Sequence, residues 1–511
     1  MRTWLMAGSM AGSALLAALP ASAMAKPTPC ASLAKLTLDD RSVVVTSATP
    51  IPARPSQGTA PAVPAYCKVR GMIDRRQGVG GKLYGIGFEL ALPEAWNTRF
   101  LFQGGGGLNG VVRPAIGDTA TGSNPALARG FAIVSTDSGH EGAVFDGSFR
   151  EDQQASLNFA YVALGRVTAA AKHLIARRYG RAPAHSYFAG CSTGGKEAMI
   201  AAQRFPGEFD GIIAGAPAMR TGHSNLALAH AQVTFNRIAP RDAAGLPITH
   251  MAFPPGDKAL VLKGLLAACD GRDGRKDGII ADPVGCRFDP AVLACTGAKT
   301  PECLSKPQVS ALQTAFAGPR SITGAQIYPA FPYDTGIVAE GKGIPGFLPS
   351  GGASPLGPPR RDTSIDLDAL WQKVQDDPDQ LLVDSWPWTN LSTYLGRGGK
   401  LILYHGVSDP WFSAWDTVGW FERAQAANGG PAQWADVARL YLVPGMGHCG
   451  GGDAFDRFDL LEPLVRWVEQ SPAPGAIPAF RSAAPAQSMP LCPFPTAAVA
   501  QGDGFTCQAL P

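Results

Sequence analysis

Gly190-Cys191-Ser192-Thr193-Gly194-Gly195 is the stretch whose reading decides the fold. Its G-x-S-x-G spacing suits a sharp turn between a strand and a helix, with the central hydroxyl pushed out of the turn. The flanks agree. Ser186-Tyr187-Phe188-Ala189 ahead of it reads as a short buried strand, and Lys196-Glu197-Ala198-Met199-Ile200-Ala201-Ala202-Gln203 behind it is rich in helix formers. Gly190 and Gly194 leave room where strand and helix pack closely. A bare G-x-S-x-G also occurs in Gly-rich turns without chemistry; with strand and helix in place, the pattern predicts a nucleophilic Ser192 near a helix N-terminus.

Outward from this turn, apolar runs alternate with helical ones. Short strand-like runs lie between Cys30 and Leu92, and firmer strands are expected at Arg99–Gln103, Gly130–Asp137, Gly211–Gly215, Lys400–Gly406 and Leu440–Gly445. Tyr161, Leu164, Val167, Ala171 and Leu174 keep helical spacing ahead of Gly180, so a helix is expected over Asn158–Tyr179. Strands alternating with helices predict an α/β fold with a mainly parallel central sheet. The alternation stops from about Ala218 to Asn390, a Pro- and Gly-rich stretch with one helix-like run at Asp366–Gln380. Residues 26–217 and 391–511 are therefore expected to form one catalytic scaffold, and 218–390 a large inserted lid over the active site.

The N-terminus points to export. Arg2, an apolar run from Trp4 to Leu19 and the small residues Ala21-Ser22-Ala23-Met24-Ala25 predict a cleavable signal peptide over 1–25, hence a secreted or periplasmic protein. No other stretch is apolar for long enough to anchor the chain in a bilayer. The 511 residues carry a formal net charge of only +3, and no basic run interleaves with aromatics, which argues against nucleic acid as a partner. A small-molecule substrate remains. Ten cysteines in an exported chain read as disulfides. Proximity suggests Cys269–Cys286, Cys295–Cys303 and Cys492–Cys507, and leaves Cys30, Cys67, Cys191 and Cys449.

A serine nucleophile needs a base within hydrogen-bond reach, and the base needs an orienting acid. Asp409, in Ser408-Asp409-Pro410, follows one late strand; His448, in Gly447-His448-Cys449, follows the next. That is the order Ser, acid, His of the α/β-hydrolase fold. His405 ends a strand and reads as structural, His140 precedes the nucleophile, and His185 opens the elbow strand. Asp416 and Asp453 sit less directly past a strand. The Gly104-Gly105-Gly106-Gly107 loop after Arg99–Gln103 is expected to supply one oxyanion donor, placed at Gly105, with the Thr193 N–H as the other. Cys191 precedes the serine and Cys449 follows the histidine, so a correct triad brings these two sulfurs within disulfide reach.

Gly-rich loop, Cys-Ser elbow, insertion, Ser-Asp-Pro loop and Gly-His-Cys loop, in this order over nearly the whole mature chain, resemble the tannase and feruloyl esterase family. The resemblance implies five disulfides: Cys30–Cys67, Cys191–Cys449, Cys269–Cys286, Cys295–Cys303 and Cys492–Cys507. It also bears on Cys269-Asp270-Gly271-Arg272-Asp273-Gly274-Arg275-Lys276-Asp277-Gly278-Ile279. Its three carboxylates suit either a solvated acidic turn or a hard cation with oxygen ligands. The resemblance implies a structural Ca2+ held by the side chains of Asp270, Asp273 and Asp277 and the carbonyls of Arg275 and Ile279.

The activity implied is serine carboxylesterase action on esters of aromatic acids. Feruloyl-type hydroxycinnamoyl esters come first, with gallate esters and terephthalate monoesters as alternatives. A lipase, or an inactive relative serving as a calcium-dependent binding protein, are the competing readings. Trp411, Phe412 and Trp386-Pro387-Trp388 are ring contacts for the substrate or ordinary core aromatics.

Overall fold

Apolar runs pair in one sheet whose order decides where the loops meet. The computed structural model describes residues 26–509 apart from 39, 59–60, 340, 346–359 and 483–486; the expected signal peptide lies outside them. The strands are β1 (Val43–Ile51), β2 (Tyr66–Gln77), β3 (Leu83–Pro93), β4 (Arg99–Gln103), β5 (Ala132–Thr136), β6 (His185–Cys191), β7 (Gly211–Gly215), β8 (Lys400–Gly406) and β9 (Ala438–Val443). Their order is β1-β2-β3-β5-β4-β6-β7-β8-β9. The first three strands run antiparallel to their neighbours, and from β5 to β9 every pair is parallel.

The parallel strands are near-continuous apolar runs because both faces are covered. Phe102, Phe188, Ile212, Leu401 and Leu403 point to one side, packed with residues of the helices Ala163–Tyr179 and Thr193–Arg204. Leu101, Tyr187, Ile213, Ile402 and Tyr404 point to the other, against the helix Leu461–Gln470. Each such side chain, fully buried, contributes about 1.5–3 kcal/mol. The strand order has one consequence for chemistry. β4 lies beside β6, so the glycine loop after β4 is next to the serine turn after β6; Gly104 N–H donates to Ala189 O at 2.9 Å. The loops after β8 and β9 open at the same sheet edge.

The helix expected over 158–179 starts earlier, at Gln153, and passes through a wide π turn at Asn158–Val162. The segment 218–390 is more helical than its sequence suggested. It contains Thr221–Ile238, Pro255–Cys269, Lys306–Ala317, Leu367–Asp376 and Pro378–Val383 around its own core of Phe235, Phe253, Leu312, Phe316 and Ile337. Leu and Ala residues ring Pro255–Cys269 on all sides, so no apolar stripe announces it. Lys306–Ala317 does carry a signal, the Ser305/Gln308 capping box. The single helix expected over 366–380 is two: Pro378 cannot continue the first, and Asp377 caps the second by accepting from Asp379 N–H. Among the described residues no helix is long and apolar enough to cross a membrane.

Candidate active site

Ser192 sits at φ 65°, ψ −122°, a left-handed conformation that costs a non-glycine residue of order 1–3 kcal/mol. Its surroundings hold it there. Ser192 N–H donates to Gly215 O at 3.0 Å, and its carbonyl accepts from Lys196 N at 2.9 Å and Ala218 N at 3.1 Å. Side chains at Gly190 or Gly195 would run into the backbone of Gly194 or Gly215. The turn therefore needs the glycines that its sequence contains.

The loop after β8 brings in Asp409 with a fully buried side chain, and the loop after β9 brings in His448. His448 Nδ1 meets Asp409 Oδ2 at 2.7 Å, while Asp409 Oδ1 accepts from the backbone N–H groups of Trp411 at 2.8 Å and Phe412 at 3.2 Å. Burial pushes the Asp409 carboxyl pKa up. The His448 charge and hydrogen bonds from His405 and His448 outweigh it, holding the group well below the usual carboxylate range. With Nδ1–H committed to Asp409, His448 Nε2 is buried and has no hydrogen-bond partner among the described residues. It belongs to the same cavity wall as Ser192.

His405, read as structural, is that and more. Its Nε2–H donates to Phe412 O at 2.9 Å and lies 3.3 Å from Asp409 Oδ2; its Nδ1 accepts from Thr417 Oγ1 at 2.8 Å. It holds the acid loop from beneath. The other competitors stand elsewhere. His140 is buried against Phe149 and burial lowers its pKa to about 4; His185 lies 3.9 Å from Asp210; Asp416 pairs with Arg220 and Asp453 with Arg481.

The Cys191–Cys449 bridge joins elbow and histidine loop across a sequence separation of 258, with Cα atoms 6.0 Å apart. The other four bridges are Cys30–Cys67, Cys269–Cys286, Cys295–Cys303 and Cys492–Cys507, and all ten cysteines are paired.

Gly105 departs from its expected role. Its N–H donates to Glu197 Oε2 at 2.8 Å, and Gly106 N–H donates to Asn109 Oδ1 at 2.7 Å. Glu197 Oε1 also accepts from Asn109 Nδ2 at 2.6 Å and from Ser138 Oγ at 3.0 Å. The elbow helix thus grips the glycine loop from behind, and the Gly105 N–H is not available to an oxyanion. Thr193 is different: as the first helical residue its N–H has no intrahelical acceptor, and its hydroxyl donates to Gly107 O.

A cavity of about 580 Å³ opens on Ser192 and His448, walled by the glycine loop, Arg113, Phe145 and Trp411. The Phe145 and Trp411 rings meet edge to face at 6.0 Å, and Trp411 in turn meets the His448 ring at 4.6 Å. Phe412 packs against that imidazole at 5.3 Å. Trp386 is not a site residue; it is stacked between Arg220 and Arg423. No described residue of 218–390 lines this cavity. The insertion instead packs behind the acid and histidine loops: Ser413 Oγ donates to Ala330 O, and Gly343 N–H donates to Ser408 O at 2.9 Å.

In the acidic loop, Asp270 and Asp273 are buried. Asp270 Oδ1 accepts from Asp277 N and Gly278 N, Asp277 Oδ1 from Ile279 N, and Asp273 Oδ1 from Arg275 N. Asp273 Oδ2 is buried with no hydrogen-bond partner among the described residues, and the carboxyl pKa is raised by burial and then by the charges of Asp277 and Asp270. No three acidic, histidine or cysteine side chains stand grouped as a ready-made metal cage among the described residues. The buried, unpaired oxygen among like charges still fits a cation that draws its other ligands from backbone carbonyls.

A mainly parallel α/β sheet with a strained serine turn and a paired Asp and His at one edge defines an α/β-hydrolase, and the enzyme is a carboxylic ester hydrolase. The chain belongs to the tannase and feruloyl esterase family, whose description matches residues 67–347 and 365–509. A mono(2-hydroxyethyl) terephthalate hydrolase of Piscinibacter sakaiensis is 37% identical over 533 aligned positions, covering 90% of this chain and 87% of that protein. A probable feruloyl esterase B-2 of Aspergillus flavus is 31% identical over 76% of each chain. In three dimensions the fold is that of feruloyl esterase B from Aspergillus oryzae, with a TM-score of 0.74 at 24% identity, covering 94% of this chain and 99% of that one.

Proposed function

We propose that Ser192, His448 and Asp409 form a catalytic triad that hydrolyses esters of aromatic acids outside the cytoplasm. One observation carries the reading: a partly buried imidazole with Nδ1 on a carboxylate and a buried Nε2 unpaired among the described residues shares a cavity wall with a strained serine, and a disulfide joins the residues next to the two. In this reading His448 Nε2 takes the Ser192 proton as Oγ attacks the ester carbonyl, and Asp409 stabilises the imidazolium. The Thr193 N–H meets the oxyanion. The alcohol leaves with the proton from His448, and water, activated by the same imidazole, releases the acid from the acyl-enzyme.

The aromatic ring lies against Phe145 and Trp411. Hydroxycinnamoyl esters of the feruloyl type are the first choice, supported by feruloyl esterases among the relatives. Terephthalate monoesters are the second reading, favoured by the 37% identical relative and by Arg113 in the cavity wall, a cation suited to a second carboxylate. The calcium reading keeps Asp270, Asp273 and Asp277 as side-chain ligands with the carbonyls of Arg275 and Ile279, and the ion would stiffen the loop without touching substrate. Export is supported by the leader-like residues 1–25 and by five disulfides.

Chromatography of acid released from methyl ferulate, methyl gallate and mono(2-hydroxyethyl) terephthalate tests the proposal, with Ser192→Ala as control. Rapid cleavage of one ester, lost in the variant by a factor of about 10⁴ or more, is the expected result. Turnover surviving in Ser192→Ala would remove Ser192 as nucleophile.

A further inference from the structure

The loops carrying Asp409 and His448 follow different strands, yet the acid–imidazole contact needs them in fixed register. A buried carboxylate from the insertion joins them. Asp334 is fully buried, and its Oδ2 accepts from Ser408 Oγ at 2.7 Å and from Gly445 N at 2.6 Å. Ser408 is the residue before Asp409. Gly445 is three residues before His448, at φ 71°, where the chain turns toward the imidazole. Ser408 Oγ accepts in turn from Gly336 N at 2.9 Å, and Ser408 N–H donates to Met446 O at 2.9 Å. A side chain at Gly336 would meet Ser408 at 2.5 Å, so the insertion approaches this loop as closely as glycine permits.

The group is not an ordinary ion pair. No arginine, lysine or histidine pairs with Asp334 among the described residues; burial raises its pKa to about 6, against hydrogen bonds from Ser408, Thr335 and Gly445. A carboxylate kept in such a place acts through what it accepts, and its two donors from outside its own segment, Ser408 and Gly445, belong to the two loops in question.

We propose that Asp334 is a positioning residue of ester hydrolysis: through Ser408 and Gly445 it sets the Asp409 loop against the His448 loop, so the insertion acts as a brace behind the acid–base pair. The inference rests on the triad reading above and is tested so that the two can fail separately. Asp334→Ala removes both acceptors. Asp334→Asn leaves one oxygen able to accept both bonds. Ser408→Ala removes only the acid-loop donor. Turnover is measured on the best ester per active site titrated with a fluorophosphonate, so misfolded protein does not count.

The expected result is a loss of at least tenfold in kcat per titrated site for Asp334→Ala with KM within twofold. Ser408→Ala should lose three- to tenfold, and Asp334→Asn should retain at least a third of wild-type turnover. Wild-type turnover per site in Asp334→Ala would overturn the proposal. If that variant is not recovered folded, Ser408→Ala decides by the same criterion, a value within twofold of wild type overturning it. Ser192→Ala run in parallel separates the readings: activity surviving there sinks the triad itself, whereas its loss alongside a wild-type Asp334→Ala sinks only the brace.

Discussion

Asp409 and Asp273 are both buried carboxylates in loops, and their surroundings differ in completeness. Asp409 has two imidazoles and two backbone N–H groups on its oxygens, and its pKa is held down. Asp273 has one N–H on Oδ1, nothing among the described residues on Oδ2 and two like charges nearby, and its pKa is pushed up. Burial alone therefore does not tell what a carboxylate is for; the partners do. Under the proposed function the first serves as the orienting acid, and the second, with an oxygen left unpaired among the described residues, as a ligand for the proposed cation.

The sharpest break of this comparison is exchange of each acid for its amide. Asp409→Asn, which presents the wrong tautomer requirement to His448, is expected to lower kcat by roughly 10⁴-fold. Asp273→Asn should leave kcat within twofold, measured with the same ester. Comparable losses in both would mean the acidic loop takes part in the chemistry.

The two bridges give a smaller contrast. Replacing Cys191 and Cys449 together by Ala should cost about 10²-fold in turnover, because a misplacement of about 1 Å between Ser192 and His448 suffices for that. Replacing Cys269 and Cys286 should cost stability, of order 2–5 kcal/mol, with turnover per folded molecule nearly unchanged. Melting curves alongside active-site titration separate the two quantities.

Calcium comes next. Saturation at about 100 times Kd adds roughly 2.7 kcal/mol, a rise of a few degrees in Tm on addition and a matching fall with a chelator. Asp273→Asn should abolish that response. Added calcium without effect on the Tm of protein shown to be metal-free would leave the loop as a plain acidic turn.

The smallest effect is a difference of sign with pH. Asp409 has a depressed folded pKa, so the stability it contributes is present above its unfolded value of about 3.8 and is lost as pH falls toward the folded one. Asp273 has a raised pKa, so the metal-free loop gains stability as pH falls through the folded value toward 3.8. Chemical denaturation of metal-free wild type and Asp273→Asn from pH 7 to 4 should show the wild type gaining more stability than the variant.

Much of the scaffold was legible because its signals are local. The runs at Arg99–Gln103, Gly211–Gly215 and Lys400–Gly406 carry strand length and apolar content together, and the structure has strands with those bounds. The insertion was read less well. Pro255–Cys269 lacks a one-sided stripe, and its residues take their places only against partners distant in the chain. The insertion's described residues contact the acid and histidine loops, and none of them lines the cavity.

The sequence by itself determined the serine turn, the acid and histidine loops and, through the order of these motifs, the family. Each depends on residue types that neighbouring positions demand: glycines around a strained φ, a short acid or an imidazole just past a strand, a cysteine next to the serine and next to the histidine. Tertiary structure alone decided that Glu197 takes the Gly105 N–H, that Phe145 faces Trp411 across the cavity and that Asp334 ties Ser408 to Gly445. Those partners lie 92, 266, 74 and 111 residues apart, in the order Gly105–Glu197, Phe145–Trp411, Asp334–Ser408 and Asp334–Gly445. A hydrogen bond or ring contact across such a distance leaves no period and no motif in the chain, and only the packing of the sheet brings its two ends together.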